Sequence, residues 1–371
     1  ALPRILLAFS FFEQTRTRDR TLDEQPAVQA VLPRWQLTNH ENSVWLRLNA
    51  ILNHESDSRE VAEHLWIMSE KLSHTKISRE EKKLSIRNKP SVLSVSPNWQ
   101  DSYRSALVRG IELVNTSELD KLVLAAKQSI VLKNPLDPVL MLSRLRHQQS
   151  SSCRFLWQTN THESFFGASP ERLLSLSGGQ IRIDALAGTA NKDDDGEGLL
   201  KSEKNLREHE LVVSSIINQL VGQNLEPFRP KGPQLAQQGH LLHLHTPIVA
   251  SARGKLPLHL VGALHPTPAV AGLPQRKALS WLRALETFDR SGYAAPLGWI
   301  DSASNAEFRV AIRCGYTSQN KLDLIAGAGL VKGSSVDGEI QEVALKLAVL
   351  ADQLDLGPNI QTMLFNRRSI I

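Results

Sequence analysis

Apolar side chains recur along the chain at two spacings, and the switches between them outline the fold. Over residues 56–84, Val61, Leu65, Met68 and Leu72 fall three or four apart, which gathers them on one face of a helix. Residues 99–114, 202–222, 275–288 and 338–354 are read as further helices. In the last of these Ile340, Val343, Leu347, Leu350 and Leu354 share one stripe. Short apolar runs predict strands at 5–12, 121–132, 154–158, 172–177 and 180–186. Gly178-Gly179 joins the last two as a hairpin turn, and Ser318-Gln319-Asn320 joins a strand at 308–317 to one at 322–325. Hairpins imply antiparallel pairing. The expected fold is therefore α+β, with layered antiparallel sheets covered by helices. Residues 1–98, strand-rich at first and ending in a polar connector that holds Pro90 and Pro97, are read as the N-terminal portion of the same body. Residues 99–357 are its core and 358–371 a C-terminal tail.

Composition narrows the function more than the fold. With 41% hydrophobic and 22% charged residues among 371, the chain can bury a sizeable core, and wholesale disorder is excluded. The formal charge of +5 arises from 43 basic and 38 acidic residues without a long like-charge block, and the densest cluster, residues 79–83, is mixed. A nucleic-acid surface needs basic residues gathered on one face with aromatics between them, and 5% aromatic content argues against it. A small anionic substrate suits the balance. Cys153 and Cys314 support neither a disulfide framework nor a cysteine-based zinc site, so a cytoplasmic location is expected. The apolar run at 5–12 is far shorter than the roughly 20 residues that span a bilayer, so no membrane partner is expected. Because the chain opens on Ala1 and enters a strand-like run at once, an N-terminal portion is expected to be missing.

Polar residues set into apolar runs are the candidates for chemistry. Lys121 heads Leu122-Val123-Leu124-Ala125-Ala126, where apolar surroundings would desolvate its ammonium and lower its pKa toward that of a usable base; the default alternative is a surface lysine at a strand end. Glu171 follows Pro170 at a strand entry; held protonated there it could be a general acid, or it could pair with Arg172. Glu208 sits at the apolar border of its helix, and His209 within the apolar arc, as a hydrogen-bonded core histidine. Glu339, Glu342 and Lys346 cluster on one edge of the helix at 338–354, where Glu342 and Lys346, four apart, could also be a solvated ion pair. Just before them, Gly327-Ala328-Gly329 permits close backbone approach to an anion. Two carboxylates from separate helices suit Mg²⁺, which takes a few oxygen ligands and keeps waters. Strand alternation from Phe308 puts Arg313 on a face flanked by small residues, with room for a planar carboxylate, unless it is a solubilising arginine on an edge strand. Tyr293 could supply a hydroxyl or simply pack. The stretch from Leu264 to Gly272 sets Pro266 and Pro268 around Thr267 and ends in glycine, which specifies a rigid turn.

Seven segments in order carry a family resemblance: KLVLA at 121–125, SPER at 169–172, LAGTA at 186–190, REHELV at 207–212, the Pro266 turn, AIRC at 311–314, and AGAGL at 326–330 with the Glu339/Glu342/Lys346 helix. Together they resemble the chorismate-utilising enzymes, over nearly the whole chain to about Leu356, and the Pro266 turn points within them to the isochorismate synthases. The resemblance implies an anthranilate synthase component I-like chorismate-binding fold. It implies Lys121 as the base that activates water for attack at C2 of chorismate, and Glu171 as the acid that protonates the departing C4 hydroxyl. Glu208 and Glu342 would hold Mg²⁺ against a substrate carboxylate, with Glu339 behind them acting through water. Tyr293, Arg313, Lys346 and the backbone of Gly327, Ala328 and Gly329 would grip carboxylates, while Gly188, Thr189 and His265 would shape the ring pocket.

The resemblance also separates relatives by their chemistry. Aminodeoxychorismate synthases carry a nucleophilic lysine in the place of Ala187; an alanine leaves water or ammonia as nucleophile. Anthranilate synthase has a different segment at the Pro266 turn and needs a glutaminase partner, and salicylate synthase adds pyruvate elimination. Isochorismate is the expected product, for a quinone, siderophore or salicylate-type pathway, from a monomer without a glutaminase subunit, with anthranilate or salicylate synthase as the alternatives within the family. A non-catalytic relative that binds chorismate-like diacids is the alternative of another class. The chain departs from the family pattern at Ala126, where Arg is frequent, at Ala295, where Gly is, and in its shorter N-terminal portion.

Overall fold

The computed structural model describes residues 2–13, 26–40, 43–74, 89–95, 98–192 and 196–365. The mixed-charge cluster at 79–83 lies outside them. In chain order the elements are β1 (Arg4–Phe9), β2 (Val28–Val31), β3 (Trp35–His40), β4 (Ser43–Leu48), α1 (Ser58–His74), β5 (Val92–Val95) and α2 (Trp99–Asn115). Next come β6 (Lys121–Leu132), α3 (Pro138–Gln148), β7 (Cys153–Gln158), β8 (Glu163–Ser169), β9 (Arg172–Ser177), β10 (Gln180–Asn191), α4 (Glu197–Lys201) and α5 (Glu203–Gly222). The chain continues through β11 (Gln234–Gln238), β12 (Leu241–Ser251), α6 (Pro257–Leu264), β13 (Gly272–Leu273) and α7 (Gln275–Leu285). It closes with β14 (Pro296–Asp301), β15 (Ala306–Val310), β16 (Cys314–Ser318), β17 (Lys321–Leu330), α8 (Val336–Ala351) and α9 (Pro358–Phe365).

Two large antiparallel sheets organise these elements. One runs β11-β12-β10-β9-β15-β14-β1-β2; the other runs β13-β6-β17-β16-β8-β7 with β5 added beside β6. The expected α+β layering is thus present. β6 is buried at each of its first six positions, which explains why it reads as a continuous apolar run rather than an alternating one. Helices α2 and α8 pack on β6 and β17, and α5 packs on β10 and β12. Each of these helices starts at a residue whose side chain accepts a backbone N–H: Asn98 from Gln100, Ser335 from Gly338, and Ser202 from Asn205. Fully buried Leu107 and Leu124 belong to a single hydrophobic cluster, and truncating either to alanine would cost about 2–5 kcal/mol. The stretch expected as a tail contains α9, whose Leu364 is buried and accepts a hydrogen bond from the Trp99 indole.

One expectation fails in an informative way. The strand predicted at 308–317 is two strands in different sheets, β15 and β16, and residues 311–313 link them. Arg313 has a positive φ of 54°, so alternation from Phe308 does not fix its direction.

Candidate active site

Two of the links by which the chain crosses between the sheets are adjacent, and both carry predicted site residues. Pro170-Glu171 connects β8 of the seven-stranded sheet to β9 of the eight-stranded one; residues 311–313 connect β15 back to β16. Hydrogen bonds join the links: Val310 N donates to Glu171 O at 3.2 Å, Ser169 Oγ to Val310 O at 2.6 Å, and Ala168 N to Arg313 O at 3.1 Å. A third irregularity lies alongside. β10 bulges at Gly188, whose φ of 73° suits glycine, and this shifts Thr189 in its register against β12.

These features open on one cavity. Lys121, Glu171, Gly188, Thr189, Glu208, Tyr293, Arg313, Gly327, Gly329, Glu342 and Lys346 all line it. Three predicted residues do not. His265 packs its ring edge-on to Phe11, 5.6 Å between centroids, so the turn reaches the cavity through Ala269 and Val270 instead. The Ala328 side chain alternates away from Gly327 and Gly329 into the core. Glu339 lies outside the lining, 1% exposed, on the first turn of α8. His209 is a core histidine as expected, its Nε2 lying 2.7 Å from Thr246 Oγ1.

Each predicted metal carboxylate has a lysine of its own. Lys121 Nζ lies 2.9 Å from Glu208 Oε1, Lys346 Nζ 2.6 Å from Glu342 Oε1, and Lys204 Nζ 2.8 Å from Glu339 Oε1. Lys346 also donates to Gly327 O at 2.8 Å. Gly329 is a cradle for the first pair, since a Cβ there would stand 2.4 Å from Glu208 Oε1 and 2.9 Å from Lys121 Cε. The loop glycine that the sequence suggests as an anion contact therefore makes room for side chains as well.

Burial governs the electrostatics. It pushes the Glu171 carboxyl up to about 7, against the opposing pull of Lys121, Lys346 and Arg313. Burial and the neighbouring Glu342 raise Glu339; burial also pushes Glu342 up, but the charge and hydrogen bond of Lys346, with Lys204 and His243, together hold it low. Among the described residues no group of three or more His, Cys, Asp or Glu side chains is placed to hold a metal ion. The local chemistry still fits a hard cation: the acidic side chains are all oxygen donors, and the mutual repulsion of Glu339 and Glu342 would be relieved by positive charge.

Sequence reasoning passed over two supports of this site. Arg290, fully buried, donates to the carbonyls of Val270 and Val123 at 2.7 Å each and to Glu286, whose Oε1 accepts from Ala125 N at 2.8 Å. The pair ties the turn to the strand of Lys121; its i,i+4 spacing was the available signal. His243 lines the cavity too, and the signal there was the pair of alternate histidines, His243 and His245, set among leucines.

Comparison with known proteins bears on this cavity. A family model described as "Chorismate binding enzyme" matches residues 1–355. The chain belongs to the chorismate-binding enzyme family. It is 37% identical over 263 residues to isochorismate synthase MenF of Bacillus subtilis, a match spanning 69% of this chain and 56% of that protein. To isochorismate synthase EntC of Escherichia coli it is 34% identical over 293 residues, 75% of each chain. The fold superposes on MenF, the menaquinone-specific isochorismate synthase of Escherichia coli, with a TM-score of 0.77 and 27% identity, covering 95% of this chain and 79% of the other. Anthranilate synthase component I of Streptococcus pneumoniae shares the fold at a TM-score of 0.78 and 18% identity, over 94% of this chain and 80% of the other. Among the described residues no helix is long and apolar enough to cross a membrane.

Proposed function

We propose that the chain is an isochorismate synthase that converts chorismate to isochorismate by adding water at C2 and losing the C4 hydroxyl. The observation that carries the reading is the convergence of Lys121 and Glu171, from different parts of the fold, on one cavity. In this reading the Lys121 amine takes a proton from the water that bonds to C2. Glu171, protonated below about pH 7, gives its proton to the C4 oxygen, which leaves as water. One water enters and one departs, so substrate and product are isomers; proton exchange with solvent resets both groups. Arg313 and Lys346 take the substrate carboxylates. Glu208 and Glu342 would hold Mg²⁺, with Glu339 behind them acting through water; when bound, the ion neutralises charge on a substrate carboxylate. Ala187 lines the cavity without an amine to compete with water. No ammonia, and hence no glutaminase subunit, is required, and a cytoplasmic monomer suffices.

Names among the relatives support this product: they include a menaquinone-specific isochorismate synthase and a salicylate biosynthesis isochorismate synthase from Pseudomonas aeruginosa. The test is incubation with chorismate, with and without Mg²⁺ and ammonia, followed by chromatographic separation of isochorismate, anthranilate and salicylate. Isochorismate alone, dependent on Mg²⁺ and indifferent to ammonia, is the expected result. A nitrogen-containing product, or no product, overturns the reading.

A further inference from the structure

His243 on β12 has one ring nitrogen on each of two cavity walls. Its Nδ1 lies 3.0 Å from Gly188 O and 3.3 Å from Thr189 Oγ1 at the β10 bulge, while its Nε2 lies 3.2 Å from Nη2 of Arg313 on the crossover link. The two contacts fix the tautomer independently. A carbonyl oxygen only accepts, so Nδ1 carries the hydrogen; a guanidinium only donates, so Nε2 is bare. The reverse tautomer would set lone pair against lone pair at Gly188 and N–H against N–H at Arg313. Burial, and then the Arg313 charge, also hold the ring neutral, with a pKa of about 3. Arg313 supplies a second observation. Its Nη1 is buried and has no hydrogen-bond partner among the described residues, although the side chain is only 6% exposed and lines the cavity.

We propose that His243, as the Nδ1–H tautomer, is the positioning residue for Arg313: it anchors one arm of the guanidinium so that the other arm is presented to a substrate carboxylate. This rests on the reading of Arg313 as a carboxylate grip. A ring anchored to the bulge at one end and to the arginine at the other couples the placement of Gly188 and Thr189 to that of the guanidinium. The Thr189 hydroxyl, facing an N–H, accepts from it and turns its own proton elsewhere.

Two substitutions split the ring. His243→Gln carries an amide oxygen out to the former Nε2 position and keeps an acceptor for Arg313. His243→Asn keeps only a donor near Gly188. Loss of a hydrogen bond to a charged group predicts that His243→Asn raises KM for chorismate about 10- to 100-fold with kcat little changed, while His243→Gln stays within about threefold. In an Arg313→Lys background the His243→Asn step adds nothing further. Equal KM effects of the two substitutions, or a fall confined to kcat, contradict the proposal. A second arm needs neither variant nor substrate. In wild-type protein labelled with ¹⁵N at histidine and assigned through couplings within the ring, His243 should show a protonated Nδ1 and a bare Nε2 at pH 7. An Nε2–H tautomer or an imidazolium overturns the assignment even if the variants fail to fold. If wild-type protein does not turn over chorismate, the functional reading fails, and the tautomer experiment still decides the role of His243.

Discussion

Lys121 and Glu171 are both nearly inaccessible and share a cavity, yet the two walls they occupy treat charge in opposite ways. Lys121, at the head of a strand inside the seven-stranded sheet, is 1% exposed and has the Glu208 carboxylate at 2.9 Å. Glu171, on the link between the sheets, is 6% exposed, and its carboxyl has no hydrogen-bond or ion-pair partner among the described residues. A lysine beside a carboxylate has a group with which to exchange a proton, whereas a carboxyl without such a partner is held in its neutral form. The difference teaches that a buried acid is made by withholding a partner. A crossover link, free of the side-chain neighbours of a ladder, is a natural place to do so.

The sharpest way to break the comparison is to remove the amine. Lys121→Ala is expected to lower kcat by about 10³-fold or more while chorismate binding, followed by calorimetry, persists, because a base is lost rather than a grip. Near-normal turnover would place the base elsewhere.

Glu171→Gln should reduce turnover to a similar extent and, unlike the lysine change, stabilise the fold in a pH-dependent manner. The unfolded carboxyl loses its proton near 4.5 and the folded one only near 7. Between those values the native state binds more protons, so wild-type stability falls as pH rises, and above 7 the whole penalty remains. The glutamine variant escapes it, and by pH 8 urea unfolding should find it more stable by roughly 3 kcal/mol. A variant with an unchanged pH dependence would mean that Glu171 is ionised in the fold.

A smaller effect probes the paired wall. Gly329→Ala forces Glu208 and Lys121 away from the β17 backbone, and displacement of about an ångström is expected to lower kcat/KM on the order of 10²-fold with global stability little altered. Wild-type kinetics would show that the pair can relax without cost.

The same contrast explains what was legible in the sequence. Lys121 stands at the start of a twelve-residue strand, directly before the five apolar residues 122–126, and its strand follows from that local pattern. Its partner does not, because Glu208 comes from a helix 87 positions later, and only packing of α5 brings the two together. Glu171 could be placed beside Pro170, but not on a link between sheets, since no local signal records a change of sheet. Arg313 was misdirected for the same reason: small residues continue the strand pattern through 311–313 while the backbone leaves the ladder. β12 went unread because Pro247 interrupts it and its histidines mimic a polar loop, although it pairs with both β10 and β11. His265 illustrates the converse, a residue in a family-like turn that packs on Phe11 rather than facing the cavity.

The measurement that bears most directly on these two walls is titration of the Glu171 carboxyl itself, by infrared difference spectra of the protonated C=O band between pH 5 and 9 with Glu171→Gln as the blank. A midpoint near 7 is expected for a buried acid that still holds its proton when chorismate arrives. A midpoint near the ordinary glutamate value, 4.5, would leave the cavity without a general acid at neutral pH and would contradict the assignment.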